Sequence, residues 1–338
     1  MRLLVTGGLG FIGSNFLRLI LRERQDVRVL NFDAMTYAGN PENCRDFEND
    51  PRYHFIHANI CDAAAVEGAL QQPVDGIVNF AAESHVDRSI MAPEMFLRTD
   101  VLGTHVLLEA ARKSRIPRYV QVSTDEVYGD IEFGESQETD AIRPRSPYSA
   151  SKAGGDLQVQ AYFATYGLPA MITRGSNTYG PYQFPEKLIP LFATNLIDDQ
   201  AVPLYGDGGQ IRDWLHVEDH ARGILHVLEH GEVGNVYNVG GGNPRTNLEI
   251  TEKLLSACGR SKHTHVRHVA DRQGHDRRYA VNCDKLKALG WSPRVPFENG
   301  LVETVKWYQT HEAWWRALKD GSFKDFYDKQ YSNRQEVI

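Results

Sequence analysis

The sequence predicts an α/β fold: a doubly wound parallel sheet, followed by a smaller region of mixed α/β structure. Two observations carry this. Through the first half, short apolar runs alternate with longer amphipathic segments, the pattern of parallel strands joined by crossover helices. Beyond residue 174, prolines and glycine clusters break that rhythm into shorter, less regular elements.

Taken in order, residues 3–6, 27–32, 54–58, 76–80, 119–123 and 170–174 read as strands. Between them, residues 12–24, 63–71, 95–114 and 149–166 read as helices, so the sheet is expected to be covered on both faces. Pro181, Pro185, Pro190, Pro203 and the run Gly206-Asp207-Gly208-Gly209 mark loops. A helix at 217–228 and a strand at 236–240 are expected to return to the sheet, and helices at 247–257, 283–289 and 298–310 occupy the tail. The expected division is therefore interleaved: residues 1–174 with about 216–240 form the first domain, and about 175–215 with 241–338 form the second.

With 338 residues the chain can bury a sizeable core. A net charge of -7 and a pI near 6.0 disfavour a broad nucleic-acid surface, while leaving room for a local basic pocket for a small anion. Cys44, Cys61, Cys258 and Cys283 show no C-x-x-C spacing. Neither a metal site nor a disulfide framework is expected, and the reducing cytoplasm is the expected compartment. The chain opens on a strand rather than a basic and apolar leader, and it contains no stretch of about 18 uncharged apolar residues. No membrane association is expected.

The first strand runs into Thr6-Gly7-Gly8-Leu9-Gly10-Phe11-Ile12-Gly13 and then a helix. Gly8, Gly10 and Gly13 satisfy a G-x-G-x-x-G spacing, and Gly7, Gly10 and Gly13 a G-x-x-G-x-x-G spacing. Glycines permit the tight turn and let backbone approach a pyrophosphate, which the helix N-terminus then attracts. Asp33 closes the second strand, where a carboxylate accepts from ribose hydroxyls and repels a 2′-phosphate. The sheet is accordingly expected to be of Rossmann type, with NAD rather than NADP as cofactor.

A second cluster carries chemistry. Tyr148 and Lys152 lie four residues apart, on one face of a helix, and a cation beside the phenol favours phenolate. Upstream stands Ser123-Thr124-Asp125-Glu126, whose paired carboxyls offer acid–base work beyond a simple oxidation.

With these motifs the chain resembles the extended short-chain dehydrogenase/reductase family, and within it the nucleotide-sugar 4,6-dehydratases. The supporting runs are 79–89 (NFAAESHVDRS), 123–129 (STDEVYG), 179–190 (YGPYQFPEKLIP), Arg212-Asp213-Trp214 and 271–276 (DRQGHD). The resemblance extends to about Gln335. It implies a cofactor site of Gly7, Gly10, Phe11, Ile12, Gly13, Asp33, Ala34, Thr36, Asn59, Ile60, Phe80, Ala81, Ala82, Ser84, Thr99, Ser123, Tyr148, Lys152 and Thr178. It implies a substrate site of Ser84, Thr124, Asn177, Lys187, Leu188, Pro203, Tyr205, Arg212, Asn247, Asp271, Arg272 and His275.

The resemblance also implies a division of labour. Tyr148 takes the proton of the sugar 4-hydroxyl as hydride leaves carbon 4 for NAD, with Thr124 positioning that hydroxyl. Lys152 binds the nicotinamide ribose. Glu126 removes the proton on carbon 5, Asp125 protonates the departing 6-hydroxyl, and hydride returns to carbon 6. The implied substrate is dTDP-glucose, with UDP-glucose or UDP-N-acetylglucosamine as alternatives and 4-epimerisation as a more distant one. In the family, helices corresponding to 95–114 and 149–166 pair across a two-fold axis, so a homodimer is expected. Two departures stand out. Asn59-Ile60 replaces the family's Asp-Ile, and Gly175-Ser176-Asn177-Thr178 replaces Cys-Ser-Asn-Asn.

Overall fold

The computed structural model describes residues 1–331 together with Arg334 and Glu336. Gln335, where the resemblance ends, and Val337 and Ile338, at the end of the expected second domain, lie outside the described residues. In chain order the strands are β1 (Arg2–Thr6), β2 (Arg28–Asp33), β3 (Tyr53–His57), β4 (Gly76–Asn79), β5 (Tyr119–Thr124) and β6 (Ala170–Gly175). They continue as β7 (Asn177–Tyr179), β8 (Val202–Tyr205), β9 (Ile211–His216), β10 (Val236–Val239), β11 (Pro244–Thr246) and β12 (Val266–Val269).

Seven of these make one sheet in the order β10-β6-β5-β4-β1-β2-β3, with every neighbouring pair parallel. The chain moves outward one way from β1 through β3 and the other way from β4. Such a reversal leaves a crevice at the carboxyl ends of the strands, where ligands bind.

Alternate strand residues point to opposite faces. Leu3 and Val5 join Phe16 and Ile20 of the helix Phe11–Glu23 and Ile224 and Leu228 of the helix Val217–His230. Leu4 joins Leu107 and Leu108 of the helix Thr104–Lys113 and Val159 and Tyr162 of the helix Pro147–Tyr166. Each such buried side chain contributes roughly 1.5–3 kcal/mol. A third core, with Phe192, Leu204, Ile250, Leu254, Phe297 and Trp315, gathers the C-terminal helices. It packs against two small sheets, β11-β9-β7 and β12-β8.

Several sequence expectations need correction. Pro190 lies in the first turn of the helix Leu188–Ile197 rather than in a loop, where a missing N–H costs no intrahelical bond. Pro203 lies within β8, which among the described residues pairs only with β12, and such an edge position tolerates proline. The expected helix at 95–114 is interrupted: a short helix Pro93–Phe96 and a π-helical turn Leu97–Gly103 precede Thr104–Lys113. The buried Asp100 carboxylate, within the π turn, accepts from Ser151 Oγ at 2.6 Å and from the Glu83 N–H at 3.1 Å. Helices Val86–Met91, Glu312–Leu318 and Ser322–Tyr331 were not expected from periodicity.

Candidate active site

The strand ends of the main sheet open into a cleft of about 1570 Å³, its mouth included. Every residue expected to bind the cofactor lines it, from Gly7 and Asp33 at one end to Thr124's neighbours Tyr148, Lys152 and Thr178 at the other.

The cofactor end is built from backbone. Gly7 has φ +69, and a Cβ there would stand 2.5 Å from the Ala81 nitrogen. A Cβ on Gly13 would stand 2.3 Å from the Gly7 carbonyl oxygen. These two glycines let the turn close, whereas Gly10 faces open space apart from the Gly7 oxygen 3.3 Å away. The helix Phe11–Glu23 begins at Gly10 with no side-chain cap, so its first N–H groups are available to an anion. The buried Asp33 accepts from the Leu9 N–H at 2.9 Å and the Met35 N–H at 2.8 Å, tying the glycine turn to the end of β2. Burial raises its pKa, opposed by those two bonds and by His57. Asn59 Oδ1 accepts from the Cys61 N–H at 2.8 Å, which leaves its amide nitrogen as the group free to face adenine. An uncapped helix start, a cradle that side chains would fill and a carboxylate at the second strand end together fit NAD.

The opposite end gathers the acid–base groups. Thr124 ends β5 and caps the turn Asp125–Tyr128, accepting from the Glu126 N–H at 3.2 Å. Both carboxyls are thereby fixed at the strand end. Tyr148 and Lys152 come from the helix Pro147–Tyr166, which starts two residues before the expected position. Ser146 caps it reciprocally with Ser149, each side chain bonding the other's N–H at 3.0 Å, and Pro147 occupies the first turn.

Environment separates the two carboxyls. Burial pushes the Asp125 pKa well above the ordinary carboxylate range, and the neighbouring Glu126 and Asp213 push it further. Its Oδ2 is buried without a partner, as suits a group that keeps its proton. Burial also raises Glu126, but Arg272, Lys187 and Arg212 hold it back. This asymmetry would suit Asp125 to act as an acid and Glu126 as a base.

Tyr148 corrects an expectation. Burial and the nearby Glu126 and Asp100 raise its pKa well above the ordinary value; a polar contact with Thr124 opposes the rise. Lys152 directs its ammonium to the Val122 carbonyl at 2.9 Å rather than to the phenol. A spacing of four gives a shared helix face, but not the direction of a long flexible side chain.

Among the expected substrate residues, Ser84, Thr124, Asn177 and Lys187 line the cleft, whereas Leu188, Pro203, Tyr205, Arg212, Asn247, Asp271, Arg272 and His275 do not. Most of the polar members of this second set form an adjoining charged cluster. Tyr205 donates to Asp87 at 3.2 Å, and Arg272 approaches the same carboxylate at 3.4 Å. Asp271 accepts from Gln210 at 2.7 Å and lies 2.6 Å from His275 Nδ1. Arg212 donates to the carbonyls of Ile211 and Asp276 at 2.8 and 2.9 Å and lies over the Tyr279 ring. Through the charges of Arg272 and Arg212 this cluster bears directly on Glu126. Leu188 packs on the third core and Pro203 sits in β8. The buried Asn247 opens the helix Asn247–Ala257, and its N–H donates to Gln210.

The cleft also includes Glu83, Gln183, Glu186 and His220, which sequence reasoning did not single out. The first three stand inside or beside the motif runs and so carried a signal. His220, one of 13 histidines, carried none. Its Nδ1 lies 2.7 Å from Thr178 Oγ1, and burial lowers its pKa to about 4, so its ring is neutral.

A family model described as GDP-mannose 4,6 dehydratase matches residues 4–304. A dTDP-glucose 4,6-dehydratase of Streptomyces niveus is 50% identical over 94% of this chain and 96% of its own length. The crystal structure of DesIV, a dTDP-glucose 4,6-dehydratase of Streptomyces venezuelae solved with NAD bound, superposes with a TM-score of 0.92 at 50% identity. It covers 94% of this chain and 100% of its own. A UDP-glucose 4-epimerase of Thermus thermophilus in complex with NAD follows at a TM-score of 0.85 and 32% identity, covering 92% of this chain and 100% of its own. The chain belongs to the GDP-mannose 4,6 dehydratase family, and its dTDP-glucose 4,6-dehydratase relatives span nearly its whole length.

Proposed function

We propose that this chain is a NAD-dependent hydro-lyase that converts dTDP-glucose to dTDP-4-keto-6-deoxyglucose and water. The observation that carries the proposal is the Asp125–Glu126 pair, adjacent in sequence yet set among different charges, carboxylates around Asp125 and mainly cations around Glu126, beside Tyr148. A 4-epimerase shares the fold but has no elimination to catalyse, so it has no use for a separate acid and base.

NAD would lie along the glycine turn, Asp33 and Asn59, where it supplies a hydride acceptor at sugar carbon 4 and later a hydride donor at carbon 6. Beside the positive charge that NAD would bring, Tyr148 would act as phenolate and take the proton of the 4-hydroxyl, and Thr124 orients that hydroxyl. The 4-ketone acidifies carbon 5, and Glu126 removes its proton. Asp125 gives its proton to the 6-hydroxyl, which departs as water. Glu126 finally returns a proton to carbon 5. The proton gained by Tyr148 matches the one lost by Asp125, so exchange between them or with solvent resets the site. Each positioned proton transfer is worth roughly 10²–10⁴-fold in rate. Lys187, Arg212 and Arg272 supply the cationic surface a nucleoside diphosphate needs, the two arginines through planar donor forks.

The reading extends to assembly and compartment. Met95, Leu97 and Leu102 before and within the π turn, and Leu157, Phe163 and Tyr166 on the helix Pro147–Tyr166, are exposed apolar side chains. We assign these residues to a homodimer interface, because exposed large apolar side chains gathered on two neighbouring helical segments mark sites of protein association. Four free cysteines fit a reducing cytoplasm, and among the described residues no helix is long and apolar enough to cross a membrane.

The test is a product assay with purified protein against dTDP-glucose, UDP-glucose and UDP-N-acetylglucosamine. The 4-keto-6-deoxy product, lighter by one water, is expected from dTDP-glucose with the highest kcat/KM. A galactose epimer as the product, or no reaction with any of the three, would overturn the proposal.

A further inference from the structure

One contact joins the cofactor end of the cleft to the substrate end through side chains that neither role requires. The loop after β2 turns at Met35, φ 52, where the Met35 N–H is held by Asp33. Two residues on, Tyr37 donates its hydroxyl to Glu186 Oε1 at 3.0 Å. The other carboxylate oxygen, Oε2, accepts from Arg88 Nε at 2.9 Å. The Glu186 side chain is 1% exposed. The Arg88 guanidinium is clamped between the rings of Tyr37 and Phe326, 3.9 and 4.2 Å from their centroids. The next residue, Lys187, reaches the Ser84 carbonyl and lines the cleft.

Hydrogen bonds thus tie Leu9 and Met35 to Asp33, and Tyr37, two residues along the same loop, to Glu186, the residue before Lys187. A buried carboxylate–guanidinium pair is weak evidence of stability, since desolvation offsets much of the attraction. What such a pair does well is fix geometry. Asp33, Ala34 and Thr36 face the expected adenosine ribose, so a dinucleotide that settles this loop also settles Tyr37. Ordering already completed by one ligand need not be repeated for the next, and binding becomes cooperative.

We propose that Tyr37 and Glu186 are positioning residues that couple the two subsites, so that a dinucleotide bound along Asp33 tightens the binding of a nucleoside diphosphate at Lys187. The inference rests on the nucleotide-sugar reading given above and adds to it an energetic link and two residues.

The test is equilibrium binding of dTDP to nucleotide-stripped protein, with and without saturating NAD, and of NAD with and without dTDP. In the wild type NAD is expected to tighten dTDP by about 5-fold or more, and linkage requires dTDP to tighten NAD by the same factor. Tyr37→Phe keeps the ring over Arg88 and removes only the hydroxyl; its coupling factor is expected to fall below about 2-fold. A merely structural role would weaken both ligands while leaving their ratio intact. A wild-type factor of one, or an unchanged factor in Tyr37→Phe, would overturn the inference alone. Failure of dTDP to bind in any state would overturn the nucleotide-sugar reading along with it.

Discussion

At the cofactor end of the cleft, contacts come from backbone and small side chains in three short runs, around Gly7 to Gly13, Asp33 to Thr36 and Phe80 to Ala82. At the substrate end the groups are long charged side chains that begin far apart: Glu126 and Lys187 in the cleft, and Arg212 and Arg272 in the cluster adjoining it. The first end is shaped by sterics and holds its geometry without a partner for each atom. The second is shaped by charge, and each ion is tolerated because an opposite one lies near. Sterics suit a ligand that stays the same through the reaction cycle. Opposed charges suit a site whose groups must hold and release protons.

The largest expected effect strikes the charged end. Tyr148→Phe should lower kcat with dTDP-glucose by roughly 10²–10⁴-fold. Its NAD content, read after denaturation, should match the wild type, because the backbone-built end is untouched. Next comes the buried pair beneath the catalytic helix, where Arg174 donates to Asp156 at 2.9 Å with both side chains essentially inaccessible. Asp156→Ala should strand the guanidinium and lower the unfolding free energy in urea by about 3–5 kcal/mol.

The steric end breaks more gently. Gly13→Ala forces a methyl into the Gly7 carbonyl and should cost about 1–3 kcal/mol of stability as the turn opens. Gly10→Ala, at φ -76, should cost less than about 0.5 kcal/mol of stability yet weaken NAD binding, because Gly10 lines the cleft where the helix begins and little but the Gly7 oxygen stands near its added methyl. Equal losses of stability in the two variants would contradict the distinction between a packing glycine and a ligand-facing one.

The last effect is a change of slope with pH. The Asp125 pKa is raised by burial and by Glu126 and Asp213, so the folded protein holds a proton there that the unfolded chain releases near the ordinary aspartate value. Stability from this group is complete below that ordinary value and declines as pH rises toward the folded one. Asp125→Asn removes the decline, so the variant should gain stability relative to wild type as pH rises above the ordinary aspartate value. Parallel urea midpoints across that range would refute it.

Much of the steric end was legible in the sequence. Gly7, Gly10, Gly13 and Asp33 act through local backbone, so their spacing carries their geometry. The doubly wound sheet was legible for the same reason, as was the placement of Tyr148 and Lys152 on one helix. The charged end was not. Tyr37 and Glu186 meet across 149 residues, and no local spacing records that. The π turn at Leu97–Gly103 keeps a helical pattern while shifting Asp100 inward. Lys152 shares a face with Tyr148 yet bonds Val122, because its stem can turn. The resemblance supplied Arg212 and Arg272, but not that their charges bear on Glu126.

The most direct test of a separate acid and base is a single turnover of Glu126→Gln with dTDP-glucose, following cofactor absorbance and water loss together. The bound cofactor is expected to become reduced and stay so, with the sugar held at the 4-keto stage and its 6-hydroxyl intact. Water loss at the wild-type rate would contradict this and remove Glu126 from the reaction.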